Sequence, residues 1–156
     1  MVYAYTDGSA NVKNKLGGFG VYIIDSTGNE YFFSEGYENT KTGRMELRAV
    51  ITALQKVNKS EQLVIYSDSM YCVNCVREGW MWKWKRENFW GKKNVDLIKI
   101  YLEEYEKFKI PPMIKHIKGH TDFDDQYSIG NSIADKLADY RNKKHYKLDV
   151  YEEAVL

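Results

Sequence analysis

A chain of 156 residues, 44% hydrophobic and 29% charged, carries enough apolar material for one globular core and is the size of a single domain. Its formal net charge of +1 excludes binding to nucleic acid through an overall basic field. No stretch approaches the roughly 18 consecutive apolar residues of a membrane span, and the polar start lacks the layout of a signal peptide, so the expectation is a cytoplasmic protein with no membrane partner.

Residues 2–7 are β-branched and aromatic, 17–25 keep that character, and the turn cluster Ser26, Thr27, Gly28, Asn29 precedes a third such run at 30–37. This predicts three antiparallel strands. From 44 to 57 the period changes, with Leu47, Val50, Ile51, Leu54 and Val57 recurring at helical spacing. A short apolar run at 63–66 predicts a fourth strand, and 70–77 a second helix after Ser67, Asp68 and Ser69. Between 80 and 93 the cations Lys83, Lys85, Arg86, Lys92 and Lys93 stand against Glu87 alone, interleaved with Trp80, Trp82, Trp84 and Trp90, which are all the tryptophans of the chain. Val95, Ile98, Tyr101, Leu102, Tyr105 and Phe108 form a helical stripe over 94–109 that Pro111 and Pro112 stop. A fifth strand at 113–117 and a last helix at 128–142 follow, and the charged remainder, 143–156, is expected to be loosely held. The order fits an α/β fold with a five-stranded mixed sheet, three antiparallel strands and then two parallel ones reached through helical crossovers, flanked by helices.

The acids fall in unexpected places against this pattern. Glu46 precedes Val50 by four residues and so shares the face of the buried stripe. Asp7 and Asp68 each end a strand and run into a turn or helix start; if those strands are parallel neighbours, both acids sit at carboxyl ends, where open α/β sheets bind ligands. Asp135 borders the apolar face of the last helix, one turn after Asn131. Taken singly, each has an ordinary reading: a cap or turn for the two aspartates, a partner of Arg44 or a helix-start acid for Glu46, a solvated residue for Asp135. Converging, the four would repel one another, and a hard divalent cation is the natural neutraliser. Carboxylates that hold two such cations are a standard device for displacement at phosphorus.

The chain resembles ribonuclease H of type 1. The resemblance is carried in order by Tyr5-Thr6-Asp7-Gly8-Ser9, Arg44-Met45-Glu46-Leu47, Ser67-Asp68-Ser69 and the segment from Gly130 through Asp135 to Ala138, with Gly17 to Gly20, Asn94 to Leu97 and Ile117 to His120 also matching. It implies a ribonuclease H-like catalytic domain over 1–142, with 143–156 as a charged tail, working as a monomer. It implies that Asp7, Glu46, Asp68 and Asp135 hold two Mg²⁺ ions, with Mn²⁺ as the alternative metal, and that His120 shuttles a proton or assists product release. The implied reaction is hydrolysis of the RNA strand of an RNA/DNA hybrid, leaving a 3′-hydroxyl and a 5′-phosphate. Only the 2′-hydroxyl tells one strand from the other in the minor groove. Asn131 and Arg44 are the implied substrate contacts beside the site, and Lys41 and Thr42 are the candidate substitutes for the contacts that relatives place just before the first helix. The segment 80–93 resembles a basic handle, in which Trp80, Lys83, Trp84, Lys85 and Arg86 grip the DNA strand; core packing is the alternative for the tryptophans.

The sequence departs from the family in three places, one of them Met70, which stands where some relatives have a polar residue. Residues 121–130 form an acidic loop longer than usual, and 39–43 lacks the asparagine-rich stretch that relatives place against substrate. Three competing readings remain open: a zinc site from Cys72, Cys75, His116 and His120, a catalytically silent hybrid-binding module, and a nuclease of the same superfold acting on DNA junctions.

Overall fold

A computed structural model describes residues 1–117 and 126–151. The strands β1 (Val2–Ala10), β2 (Gly17–Ile24) and β3 (Glu30–Glu38) are joined as antiparallel neighbours. They are followed by α1 (Thr42–Lys56), β4 (Leu63–Ser67), α2 (Met70–Arg77), α3 (Trp80–Arg86), α4 (Val95–Glu106), β5 (Met113–His116), α5 (Gln126–Ala138) and β6 (Tyr146–Leu148), with a 3-10 turn at Tyr140–Asn142 before β6. Spatially the strands are ordered β5, β4, β1, β2, β3, β6. The α/β class and the mixed sheet are as expected, and β1, β4 and β5 are parallel neighbours.

Alternation along the strands splits the apolar side chains between two faces. Val2 and Ala4 of β1, Val21 and Ile23 of β2, and Leu63 and Ile65 of β4 pack with Leu47, Val50, Ile51 and Leu54 of α1 and Ile98 and Tyr101 of α4 in the larger core. Burying each of the Val, Leu and Ile side chains contributes about 1.5–3 kcal/mol. The other face is aromatic. Phe32, Tyr22, Tyr5 and Tyr66 lie in one register row across four strands, with ring centroids 5.2, 5.9 and 5.1 Å apart. There α5 packs through Ala134, and Gly130 is required because a Cβ would lie 2.6 Å from the Tyr5 ring.

Four expectations need correction. The sheet has six strands, not five, because β6 pairs in parallel with β3 through Gly36 and Tyr146, Tyr37 and Lys147, and Glu38 and Leu148. The tail is therefore anchored as far as Tyr151: Asp149 is 0% exposed, its carboxylate accepts hydrogen bonds from Thr40, Arg44 and Arg48, and Tyr151 lies 4.0 Å from the Arg44 guanidinium. Hydropathy does not reveal this anchor, because it is ionic and the strand is only three residues long. The basic segment contains a helix of its own, α3, bringing the described α-helices to five. Finally, α5 already begins at Gln126, so residues 126–130 of the supposed acidic loop are helical and Asp122, Asp124 and Asp125 lie outside the described residues.

Candidate active site

Parallel pairing of β1 with β4 ends on Thr6 opposite Ser67. The residues that follow are Asp7, which lies within β1 and does not end it as expected, and Asp68, just beyond β4, so the two acids stand together where that pairing ends. Helix α1 brings in the third acid. On Gly8 a Cβ would lie 2.4 Å from the Glu46 backbone nitrogen, so β1 and α1 touch backbone to backbone where their acids emerge and only glycine fits there. Asp7, Glu46 and Asp68 consequently each offer a carboxylate oxygen within 4.8 Å of the other two, and among the described residues they are the only such metal-ligating group. Asp135 of α5 is exposed and lies outside this group, but its side chain is within hydrogen-bonding reach of Asp7.

The electrostatics are those of a cation site. Burial, then the charge of Asp68 and the hydrogen bond with Asp135, raise the Asp7 carboxyl to about 8 against a weaker opposing hydrogen bond from the Gly8 amide. Glu46 is pushed up to about 7, again chiefly by burial, with the Asp68 charge adding to it and a hydrogen bond with Ser69 opposing. Carboxylates converging in this way are relieved by a hard divalent ion with oxygen ligands, which this all-oxygen donor set suits.

Ser69 went unnoticed in the sequence beyond its place at a helix start. Its hydroxyl accepts from the Cys72 amide at 3.2 Å to cap α2, and it is also the polar partner of Glu46. The capping position itself was the available signal. His120 lies outside the described residues. Asn131 is half-buried on α5, one turn before Asp135. Exposed Lys41 and Thr42 line a cavity of about 330 Å³ together with Asn11, Lys15 and Thr40.

Arg44, expected at the substrate, is instead 1% exposed. Its guanidinium donates to Asp96 at 3.0 and 2.8 Å and to Asp149 at 2.7 and 2.9 Å, which leaves no face for a ligand. Burial works against its charge, but these two acids outweigh it and hold the group above its ordinary pKa. In the handle, Trp84 is only 9% exposed and stacks on half-buried Trp80 at 5.6 Å and beside Tyr71 at 6.1 Å. Their placement favours packing. Lys83, Lys85 and Arg86 are exposed, and Trp90, at 83% exposure, is the aromatic ring open to solvent. Cys72 and Cys75 are free and buried in the larger core, whereas His116 is exposed on β5, so their placement does not form a zinc site.

A ribonuclease H family model matches residues 1–142. Ribonuclease H of Caldanaerobacter subterraneus is 37% identical over 153 residues, 94% of each chain, and that of Lachnoclostridium phytofermentans is 39% identical over 129 residues, 76% of this chain and 80% of its own. Ribonuclease HI of Synechocystis is 34% identical over 125 residues, 76% of each. Among solved structures, the protease-reverse transcriptase of prototype foamy virus superimposes with a TM-score of 0.74 at 25% identity, over 88% of this chain but only 20% of that much longer one. With its carboxylates gathered at the edge of such a sheet and its sequence matched along nearly its whole length, the chain belongs to the ribonuclease H family.

Proposed function

We propose that the protein is an endonuclease that hydrolyses the RNA strand of RNA/DNA hybrids with two divalent ions, Mg²⁺ in the first instance, and leaves 3′-hydroxyl and 5′-phosphate ends. The observation that carries this reading is the convergence of Asp7, Glu46 and Asp68 from three separate elements within 4.8 Å, with Asp135 closing on Asp7 from a fourth. These four acids would hold the metal. When bound, the ions supply an activated water and positive charge for the leaving oxygen.

The rest falls to the chain's own residues. Ser69 donates to and orients Glu46, and the Gly8 amide donates to Asp7 at 2.9 Å, so both carboxylates are turned before substrate arrives. The acids repel the substrate's phosphates until they are neutralised, which ties binding at the cleavage point to metal loading. Lys41 and Thr42 contact one strand's backbone from their shared cavity, with Asn131 on α5 nearby in sequence to Asp135. The exposed cations of α3 grip the other strand at a distance from the chemistry. His120 is assigned the proton-transfer role on the family resemblance alone.

Cleavage of labelled RNA/DNA, RNA/RNA, DNA/DNA and four-way DNA junctions, each with Mg²⁺ and with EDTA, tests the proposal. The expected result is cutting confined to the RNA of the hybrid and abolished by EDTA. Binding without cutting would identify a silent module, and junction cutting a different nuclease of the same fold.

A further inference from the structure

The first turn of α1, which delivers Glu46, lacks the usual devices that fix a helix start. Its cap residue Lys41 makes no side-chain capping hydrogen bond, and no acid occupies the first turn. What stands there instead is Asp149, more than 100 residues away in sequence. Its carboxylate accepts from Thr40 just before the helix at 2.7 Å, from Arg44 in the first turn at 2.7 and 2.9 Å, and from Arg48 one turn later at 2.7 Å. Its backbone amide donates to the Glu38 carbonyl at 2.9 Å, and its carbonyl accepts from Asn39 at 3.3 Å. Asp96 at the start of α4 holds the far side of Arg44. The clamp therefore grips the chain on both sides of the point where α1 begins, and Glu46 follows Arg44 by two residues.

The backbone of Glu46 in turn lies directly against Gly8, next to Asp7. A shift of the first turn of α1 changes the spacing of Glu46 and Asp7 with nothing between them to absorb it. We infer that Asp149, in the segment beyond the residues matched by the family model, is a positioning residue: it sets the Glu46 carboxylate against Asp7 and so preorganises the metal site. Residues 143–151 thereby become a working part of the catalytic unit and not an appendage.

This inference rests on the metal-binding reading of the carboxylates, so its test measures metal directly. Titration calorimetry of the substrate-free protein with Mg²⁺ should show about tenfold weaker binding for Asp149→Asn, the low end of what loss of an outer support costs a metal site, and a smaller weakening for Thr40→Val. The Mg²⁺ concentration for half-maximal hybrid cleavage should rise in step, with the KM for hybrid unchanged at saturating Mg²⁺. Val57→Ala, a core truncation remote from the clamp, is the control for stability: it should lower Tm without moving the Mg²⁺ affinity. Unchanged Mg²⁺ affinity in Asp149→Asn would overturn the inference, as would unchanged affinity in Thr40→Val should the first variant fail to fold. A wild-type protein that binds Mg²⁺ but cuts no hybrid overturns the functional reading alone, since the affinity comparison is made without substrate.

Discussion

Asp7 is 8% exposed beside Asp68 and Asp135, and without metal its carboxyl is raised to about 8. An acid held this far from its ordinary range works against folding whenever it is ionised. Asp7→Asn keeps the volume and removes the charge. It should abolish hybrid cleavage while raising the Tm of the metal-free protein by at least roughly 2–4 °C, the shift that about 1 kcal/mol produces in a domain of this size. Thermal melts in EDTA, run beside the cleavage assay, check both halves. An active variant would remove Asp7 from the site, and a lowered Tm would show that its charge is not under strain. Arg44 carries the opposite lesson. The family resemblance implied a substrate contact for it, yet its guanidinium is spent on Asp96 and Asp149.

Helix α3 separates two roles that the sequence had merged. Trp84 and half-buried Trp80 stack on each other and pack at a tilt against Tyr71, and Trp82 meets Tyr105 edge-on at 5.6 Å, so the indoles on this helix fasten it to α2 and α4. The cations point outward, and the turn after the helix, where Asn88 and Phe89 have φ of 54° and 56°, carries the exposed Trp90. Replacing Lys83, Lys85 and Arg86 together with Ala should weaken hybrid binding and flatten its salt dependence, by up to about 2–3 in the log–log slope if each lysine or arginine meets a phosphate. Binding measured across a salt series checks this, and an unchanged slope would reduce the element to packing. The same measurement on Trp84→Phe should leave the slope as it was, because that ring faces inward.

Across the whole molecule, two sets of acids give stability opposite pH dependences. Asp7 and Glu46 have folded pKa values of about 8 and about 7, above the ordinary 3.8 and 4.5. The folded state then binds more protons than the unfolded one, so their contribution is complete below about pH 4 and is lost as pH rises through about 7 to 8. Burial pushes Asp149 and Asp96 upward, but their hydrogen bonds with Arg44, and for Asp149 with Arg48 and Thr40, outweigh it and hold both below the usual carboxylate range. Their contribution is present above about pH 4 and is lost on acidification. The metal-free protein should accordingly be most stable in mild acid, and its Tm should fall between about pH 5.5 and about pH 8.5. Saturating Mg²⁺ should remove most of that fall, because the ion stabilises the ionised carboxylates. Calorimetry at both pH values, with and without Mg²⁺, decides the matter; an equal fall in both conditions would detach the pH dependence from the cluster.

What the sequence determined by itself was local in origin. The strand and helix periods gave the α/β class, and short motifs around Asp7, Glu46, Asp68 and Asp135 singled out the four acids as candidates, because each motif is written in a few adjacent residues whose polarity conflicts with the pattern around it. Only the tertiary structure decided the rest: that β1 and β4 are parallel neighbours and bring Asp7 beside Asp68, that Ser69 serves Glu46, that Trp84 is packing, and that the tail supplies β6 and Asp149. These depend on partners far apart in the chain, Arg44 and Asp149 most of all, and a buried ion pair between them leaves no trace in hydropathy or period. Burial and pairing are properties of the folded packing, and they alone distinguish a guanidinium held inside the fold from one offered to a phosphate.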